Sequence, residues 1–206
     1  MDGVLLDSEP LNVETEHIVC SKNNIIVPEG EWDHFKGRTN RHIFTHIVTN
    51  FSDGRVSVDD LIRQKRALYM DLLPSHVKLM PDALDVLREV RRRMELVSLT
   101  TSSSASVQAL AFRLFDFTPF FDVVVNGSDV VNGKPHPEPY SLTFAKLGVA
   151  ATEVYTLEDS DNGIISGREA GCADVIGITS SFPEDRLRSA GAHHVIHSLP
   201  ELLAFL

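Results

Sequence analysis

From residue 82 onward the chain keeps one rhythm, in which a helical stretch of about ten residues is followed by a short apolar run. Helical spacing over 82–93 leads to Leu96-Val97-Ser98-Leu99-Thr100-Thr101, and spacing over 104–114 leads to Phe121-Asp122-Val123-Val124-Val125-Asn126. A stretch over 137–147 leads to Val154-Tyr155-Thr156-Leu157-Glu158-Asp159. Residues 162–170, stopped by Gly171, lead to Asp174-Val175-Ile176-Gly177-Ile178-Thr179. Val195-Ile196 and a tail helix from Pro200 to Phe205 close the series. Short apolar runs alternating with helices mark βαβ units, whose parallel strands are buried on both faces. The expected fold is α/β, a Rossmann-like doubly wound parallel sheet.

Residues 9–78 break the rhythm. They show helical spacing and almost no strand signal, with apolar faces at Leu11, Ile18 and Val19, at Ile43, Phe44, Ile47 and Val48, and at Leu61, Leu68, Leu72 and Leu73. Breakers fall between them at Pro28-Glu29-Gly30, Gly37 and Ser52-Asp53-Gly54. The expected organisation is a core of residues 1–8 and 79–206 carrying an inserted α-helical domain of residues 9–78 near its N-terminus.

Composition narrows the function classes. The 206 residues carry a net charge of −10, so nucleic acid is a poor partner. Arg91-Arg92-Arg93 reads as a solvated helix end, where cations suit the macrodipole. Apolar residues make up 43% of the chain, enough for a sizeable core. No apolar run approaches the ~20 residues of a membrane helix, and the opening lacks a secretory pattern. Cys20 and Cys172 lie far apart, against a disulfide scaffold or a structural zinc site. The expectation is a cytoplasmic protein, monomeric or weakly dimeric, with no nucleic-acid or membrane partner.

In doubly wound sheets, ligands bind beyond the carboxyl ends of the strands. There the sequence offers Thr101-Ser102-Ser103-Ser104, whose hydroxyls and helix-start amides suit an anion. It offers Lys134 within Gly133-Lys134-Pro135-His136-Pro137-Glu138-Pro139, a segment stiffened by prolines. It offers the adjacent carboxylates of Glu158 and Asp159, oxygen donors of the kind Mg²⁺ takes. The opening Met1-Asp2-Gly3 adds an acid before a turn glycine. Taken singly, each also fits a cap, a turn or a solvated loop. Of the nine histidines, His42 and His46 at i, i+4 have no evident third ligand and read as surface residues. His136, His193, His194 and His197 receive no role.

In this order and strand context, the DGVLLDSEP opening, the TTSSS motif, the GKPHPEPY motif and the EDSDNG motif resemble the haloacid dehalogenase superfamily of hydrolases. The similarity is to its subgroup of β-phosphoglucomutases and sugar-phosphate phosphatases with an inserted helical cap. The resemblance implies phosphoryl transfer through an aspartyl-phosphate, with Asp2 as general acid/base. It implies that Thr101 and Ser102 hold the phosphoryl group, that Lys134 neutralises its charge, and that Asp159 and Glu158 bind Mg²⁺. Dehalogenation ranks low beside it. The family motif is Asp-x-Asp-Gly, so the nucleophile would sit immediately before Met1, and this sequence carries neither it nor the strand leading to it. In Gly37-Arg38-Thr39-Asn40-Arg41, the resemblance gives Arg41, and with it Lys65, a substrate contact from the cap. Asp7, Ser8 and Glu9 match the hinge. The expected activity is a Mg²⁺-dependent phosphatase of small phosphorylated metabolites. A phosphosugar mutase and a non-catalytic phosphate-binding or regulatory protein are the alternatives.

Overall fold

The computed structural model describes residues 1–35 and 38–206; Lys36 and Gly37, the latter a breaker and loop residue singled out above, lie outside the described residues. The chain divides into two units, one of Met1–Asp7 with Lys78–Leu206 and one of Ser8–Val77.

The second unit is helical. It comprises α1 (Glu9–Lys22), a 3₁₀ turn at Glu29–Glu31, α2 (Trp32–Phe35), α3 (Asn40–Phe51) and α4 (Val58–His76). Local chemistry sets the helix starts. Pro10 lies in the first turn of α1, where its missing N–H costs nothing. Thr39 caps α3 by accepting from the His42 N–H at 3.2 Å, and Ser57 caps α4 by accepting from the Asp60 N–H at 3.1 Å. Phe44, Ile47 and Leu61 are fully buried in its core beside Val19 and Ile43.

Two helical faces differ from the sequence expectation. The face α4 buries is Leu61, Lys65, Tyr69 and Leu73, while Leu68 and Leu72 lie at its margin. On α1, Thr15 and Glu16 are buried and Ile18 is marginal. The polar residues are interior because they satisfy one another. Lys65 Nζ donates to Asn12 Oδ1 at 2.9 Å and to Asn40 Oδ1 at 2.7 Å, and it pairs with Glu16 Oε1 at 3.1 Å. Thr15 Oγ1 donates back to the Leu11 carbonyl. A spacing rule counting only apolar residues misses a face that a saturated ion pair completes.

The first unit carries the strands. A short β1 (Leu6–Asp7) pairs antiparallel with β2 (Lys78–Leu79). Then follow α5 (Ala83–Arg93), β3 (Ser98–Thr100), α6 (Ala105–Phe115), β4 (Val123–Val125), α7 (Glu138–Leu147) and β5 (Tyr155–Glu158). After these come α8 (Asp161–Glu169), β6 (Asp174–Ile178), α9 (Glu184–Ser189), β7 (His194–Ile196) and a 3₁₀ segment at Leu199–Ala204. The α/β alternation matches the expected Rossmann-like class. The parallel sheet comes in two pieces, β3-β4 and β5-β6-β7, with no ladder joining them among the described residues.

Smaller corrections follow from local energetics. The tail winds as a 3₁₀ segment rather than an α-helix, with Leu199 alone buried. The helix α9 was not anticipated, because only Leu187 of its six residues is buried and no apolar period shows. The arginine run does end α5, with Arg92 and Arg93 both bonded to Glu89. Those guanidinium groups hold the Glu89 carboxyl down at about 2.

Candidate active site

The carboxyl ends of the strands in the first unit bring the sequence-selected groups together. Lys134 is the connecting piece. Its Nζ donates to the Thr100 carbonyl at the end of β3 at 2.9 Å and to Glu158 Oε1 at the end of β5 at 2.5 Å. Both side chains of this ion pair are about nine-tenths buried, at 9% and 8% exposure. The Tyr140 hydroxyl, from the first turn of α7, donates to the same Glu158 oxygen. Burial and the Glu158 charge raise the Tyr140 phenol well above its ordinary range, so it stays a donor. The Lys134 ammonium also lies 4.9 Å from the centre of the Tyr140 ring.

Asp159 follows on the same strand end. Ser181, just past β6, donates to Asp159 Oδ2 at 2.5 Å. Burial and the neighbouring Glu158 charge push the Asp159 carboxyl up to about 6, against the pull of that hydroxyl. Two glycines make room for the carboxylates. Gly3 has φ +66°, and a Cβ there would overlap the Asp159 carboxylate. A Cβ at Gly163 would overlap the Glu158 carboxylate. The Gly3 carbonyl also accepts a hydrogen bond from the Ser180 hydroxyl.

Asp2 reaches the hydroxyl loop, where Ser103 Oγ donates to Asp2 Oδ2 at 2.7 Å. Thr101 is buried, and its hydroxyl accepts the Ser103 N–H at 3.1 Å, folding the loop back on itself. Ser102 is exposed. Gly127 braces the loop, donating its N–H to the Ser103 carbonyl at 2.8 Å. Below the rim, Thr143 gives its proton to the Pro139 carbonyl, so Thr100 is the donor in the 2.7 Å Thr100–Thr143 hydroxyl pair.

Asp2, Thr101, Lys134, Glu158 and Asp159 thus meet on one rim. Arg41 and Lys65 belong to the helical unit. Arg41 is exposed and paired with Asp59 at 2.7 Å. Lys65, expected to face substrate, is only 4% exposed, and its ammonium ties α1, α3 and α4 together. Sequence reasoning missed Tyr140, Ser180 and Ser181. The last two follow β6, so the strand-end rule would have found them if applied to every strand. Tyr140 carried no signal apart from its place in the lysine motif.

The histidines play other parts. His46 faces Glu31 at 3.2 Å, and His193 and His194 face Asp174 at 3.1 and 3.3 Å. No cluster of three or more His, Cys, Asp or Glu suited to a metal occurs among the described residues. Cys20 and Cys172 are buried free thiols pushed up to about 12 and about 11, chiefly by burial. No described helix is long and apolar enough to cross a membrane.

A parallel α/β unit with acids, a lysine and hydroxyls gathered at its strand ends is the architecture of a hydrolase family. The family model of haloacid dehalogenase-like hydrolases matches residues 1–178, and the chain belongs to that family. It is 28% identical over 197 residues to a phosphorylated carbohydrates phosphatase of Thermotoga maritima, covering 93% of this chain and 89% of that protein. It is 32% identical over 151 residues to the pyrophosphatase PpaX of Bacillus pumilus, covering 72% and 68% of the two chains. Among solved structures, it is similar to a family IA, variant 3 hydrolase of Entamoeba histolytica, with a TM-score of 0.82 at 25% identity over 98% of this chain and 92% of that one. A Thermotoga maritima structure described provisionally as a β-phosphoglucomutase gives a TM-score of 0.82 at 27% identity, over 100% and 94%.

Proposed function

We propose that this protein is a Mg²⁺-dependent phosphatase of small phosphorylated metabolites, sugar phosphates foremost, working in the cytoplasm. The observation that carries the reading is the Lys134 bridge. A buried cation ties the ends of β3 and β5 beside Asp159, Asp2 and the Thr101 loop. Phosphoryl transfer needs positioning and charge neutralisation more than any other chemistry, and this rim has groups of each kind. The phosphatases among its relatives support the same substrate class.

The residues take the following parts. Thr101 and the exposed Ser102 hold the phosphoryl oxygens. Lys134 faces the charge that grows on them. Asp2, aligned by Ser103, protonates the leaving oxygen and later takes a proton from the attacking water. The nucleophilic carboxylate belongs immediately before Met1, a position outside this chain. Arg41 of the helical unit, acting as a cap, recognises the rest of the substrate.

The donor set fits Mg²⁺ at two positions. Asp159 and Glu158 supply only oxygen donors, and the burial and neighbouring Glu158 charge that raise Asp159 are a penalty on its ionised form that a dication would offset. When bound, Mg²⁺ would neutralise phosphoryl charge and orient the transferring group.

A phosphosugar mutase is the second reading, favoured by the similarity to the structure described as a β-phosphoglucomutase. The test is a panel of phosphate esters offered to the chain extended by an apolar strand ending in aspartate before Met1. Mg²⁺-dependent phosphate release from a sugar phosphate is expected. Migration of phosphate between two hydroxyls of one sugar would favour the mutase. Inertness toward every ester would count against both and favour a binding protein.

A further inference from the structure

The loop after β6 is fastened at both of its ends. The Thr179 N–H donates to the carbonyl of Ile196, the last residue of β7, at 3.1 Å. Phe182 is buried, the Arg186 guanidinium lies 3.7 Å from the centre of its ring, and Arg186 pairs with Asp161 at 2.7 Å. Ser180 and Ser181 are the two residues between these anchors.

Both serines reach the acidic rim. Ser180 donates to the Gly3 carbonyl, and Ser181 donates to Asp159 Oδ2 at 2.5 Å. Gly3 packs on the same spot, since a Cβ there would overlap Asp159 Oδ2 and lie 2.7 Å from Ser181 Oγ. Asp159 Oδ2 is therefore claimed by a hydroxyl proton and hemmed in by the Gly3 backbone. A cation approaching this carboxylate is left with Oδ1. Glu158 is restrained in a similar way, because Lys134 and Tyr140 both donate to its Oε1.

The number of oxygens a carboxylate can offer separates two common divalent ions. Ca²⁺ is large, takes about six to eight oxygens and readily uses both oxygens of one carboxylate. Mg²⁺ is smaller, keeps a near-octahedral shell and holds on to several waters. A carboxylate with one oxygen already claimed suits the second ion and handicaps the first. A hydroxyl that fixes the orientation of a ligating group also supports metal affinity.

We propose that Ser181 sets the metal selectivity of this rim: by holding Asp159 Oδ2 it makes Asp159 a one-oxygen ligand, which favours Mg²⁺ over Ca²⁺. The inference rests on the reading of Asp159 as a Mg²⁺ ligand. Ser181 touches neither metal nor substrate in this scheme. It is a positioning residue that acts through Asp159, and Ser180 keeps the Gly3 turn closed over the same oxygen.

The test uses the chain as it stands. MgCl₂ and CaCl₂ are titrated separately into the parent, Ser181→Ala and Ser181→Thr, and dissociation constants are read by calorimetry. The parent should prefer Mg²⁺. Ser181→Ala should weaken Mg²⁺ binding by roughly tenfold and leave Ca²⁺ binding unchanged or tighter, so that the preference falls by at least the same factor. Ser181→Thr keeps the hydroxyl and should keep the parent's preference. Equal weakening of both ions in Ser181→Ala would mean a loosened loop and overturns the proposal, as does an unchanged pair of constants or a parent that prefers Ca²⁺. In each of these cases Asp159 can still be a metal ligand. A parent that binds neither ion overturns the proposal together with the metal reading on which it rests.

Discussion

Lys134 Nζ and Glu158 Oε1 lie 2.5 Å apart, and because Lys134 also donates to the Thr100 carbonyl, the ends of β3 and β5, which share no ladder among the described residues, are held at one rim. Deleting one member of such a pair leaves the other charge buried without its counter-ion, at a cost of about 3–5 kcal/mol. Lys134→Ala should therefore lower the urea midpoint strongly. The double variant Lys134→Met with Glu158→Gln should recover most of the loss. If the single variant unfolds like the parent, the pair has no structural weight.

Asp159 gives a pH signature. Its carboxyl is pushed up to about 6, above the ~3.9 of an unfolded chain. The folded state thus holds this proton more tightly. The associated stability is fully present below pH ~4 and is lost as pH rises through about 6. Asp159→Asn should raise metal-free stability by about 1–3 kcal/mol near pH ~8 and leave it unchanged near pH ~4. Mg²⁺ should raise the melting temperature of the parent and not of the variant. A variant less stable at the higher pH would contradict this electrostatic account.

In the helical unit, Glu16 is raised by burial in spite of the Lys65 charge beside it. Desolvation outweighs attraction there, so exchanging both partners for apolar residues should be tolerated. Glu16→Leu with Lys65→Met should keep stability within about 1 kcal/mol of the parent or exceed it, whereas Lys65→Met alone should cost about 3 kcal/mol. Chemical denaturation of the three variants separates these outcomes. A double variant worse than the single would mean that the Asn12 and Asn40 contacts dominate.

Gly3 ties the opening loop to the acidic pair. With φ +66° and the Asp159 carboxylate where a Cβ would go, Gly3→Ala must move one or the other. The expected loss is about 1–3 kcal/mol, accompanied by weaker Mg²⁺ binding in calorimetry. Unchanged metal binding would show that Asp159 does not depend on this turn.

The sequence displayed the α/β alternation because apolar runs on strands buried from both sides are easy to recognise. Leu99, Val125, Ile176 and Ile178 are such residues. It displayed the rim as well, since Thr101, Lys134, Glu158 and Asp159 each end or follow a strand element. What it concealed was held by polar saturation. Lys65 and Glu16 satisfy each other in the interior, and no hydropathy pattern reports that. Ser181 was hidden because a serine after a strand is ordinary until a carboxylate is found beside it.

The central claim is covalent phosphoryl transfer at this rim. It is tested most directly by trapping, with the chain extended by a strand ending in aspartate mixed with radiolabelled sugar phosphate and Mg²⁺, then quenched in acid. The account predicts label on the aspartate immediately before Met1, released by hydroxylamine, and greatly reduced in Lys134→Ala and Asp159→Ala. Phosphate release without any labelled aspartate, or label on a different residue, would contradict it.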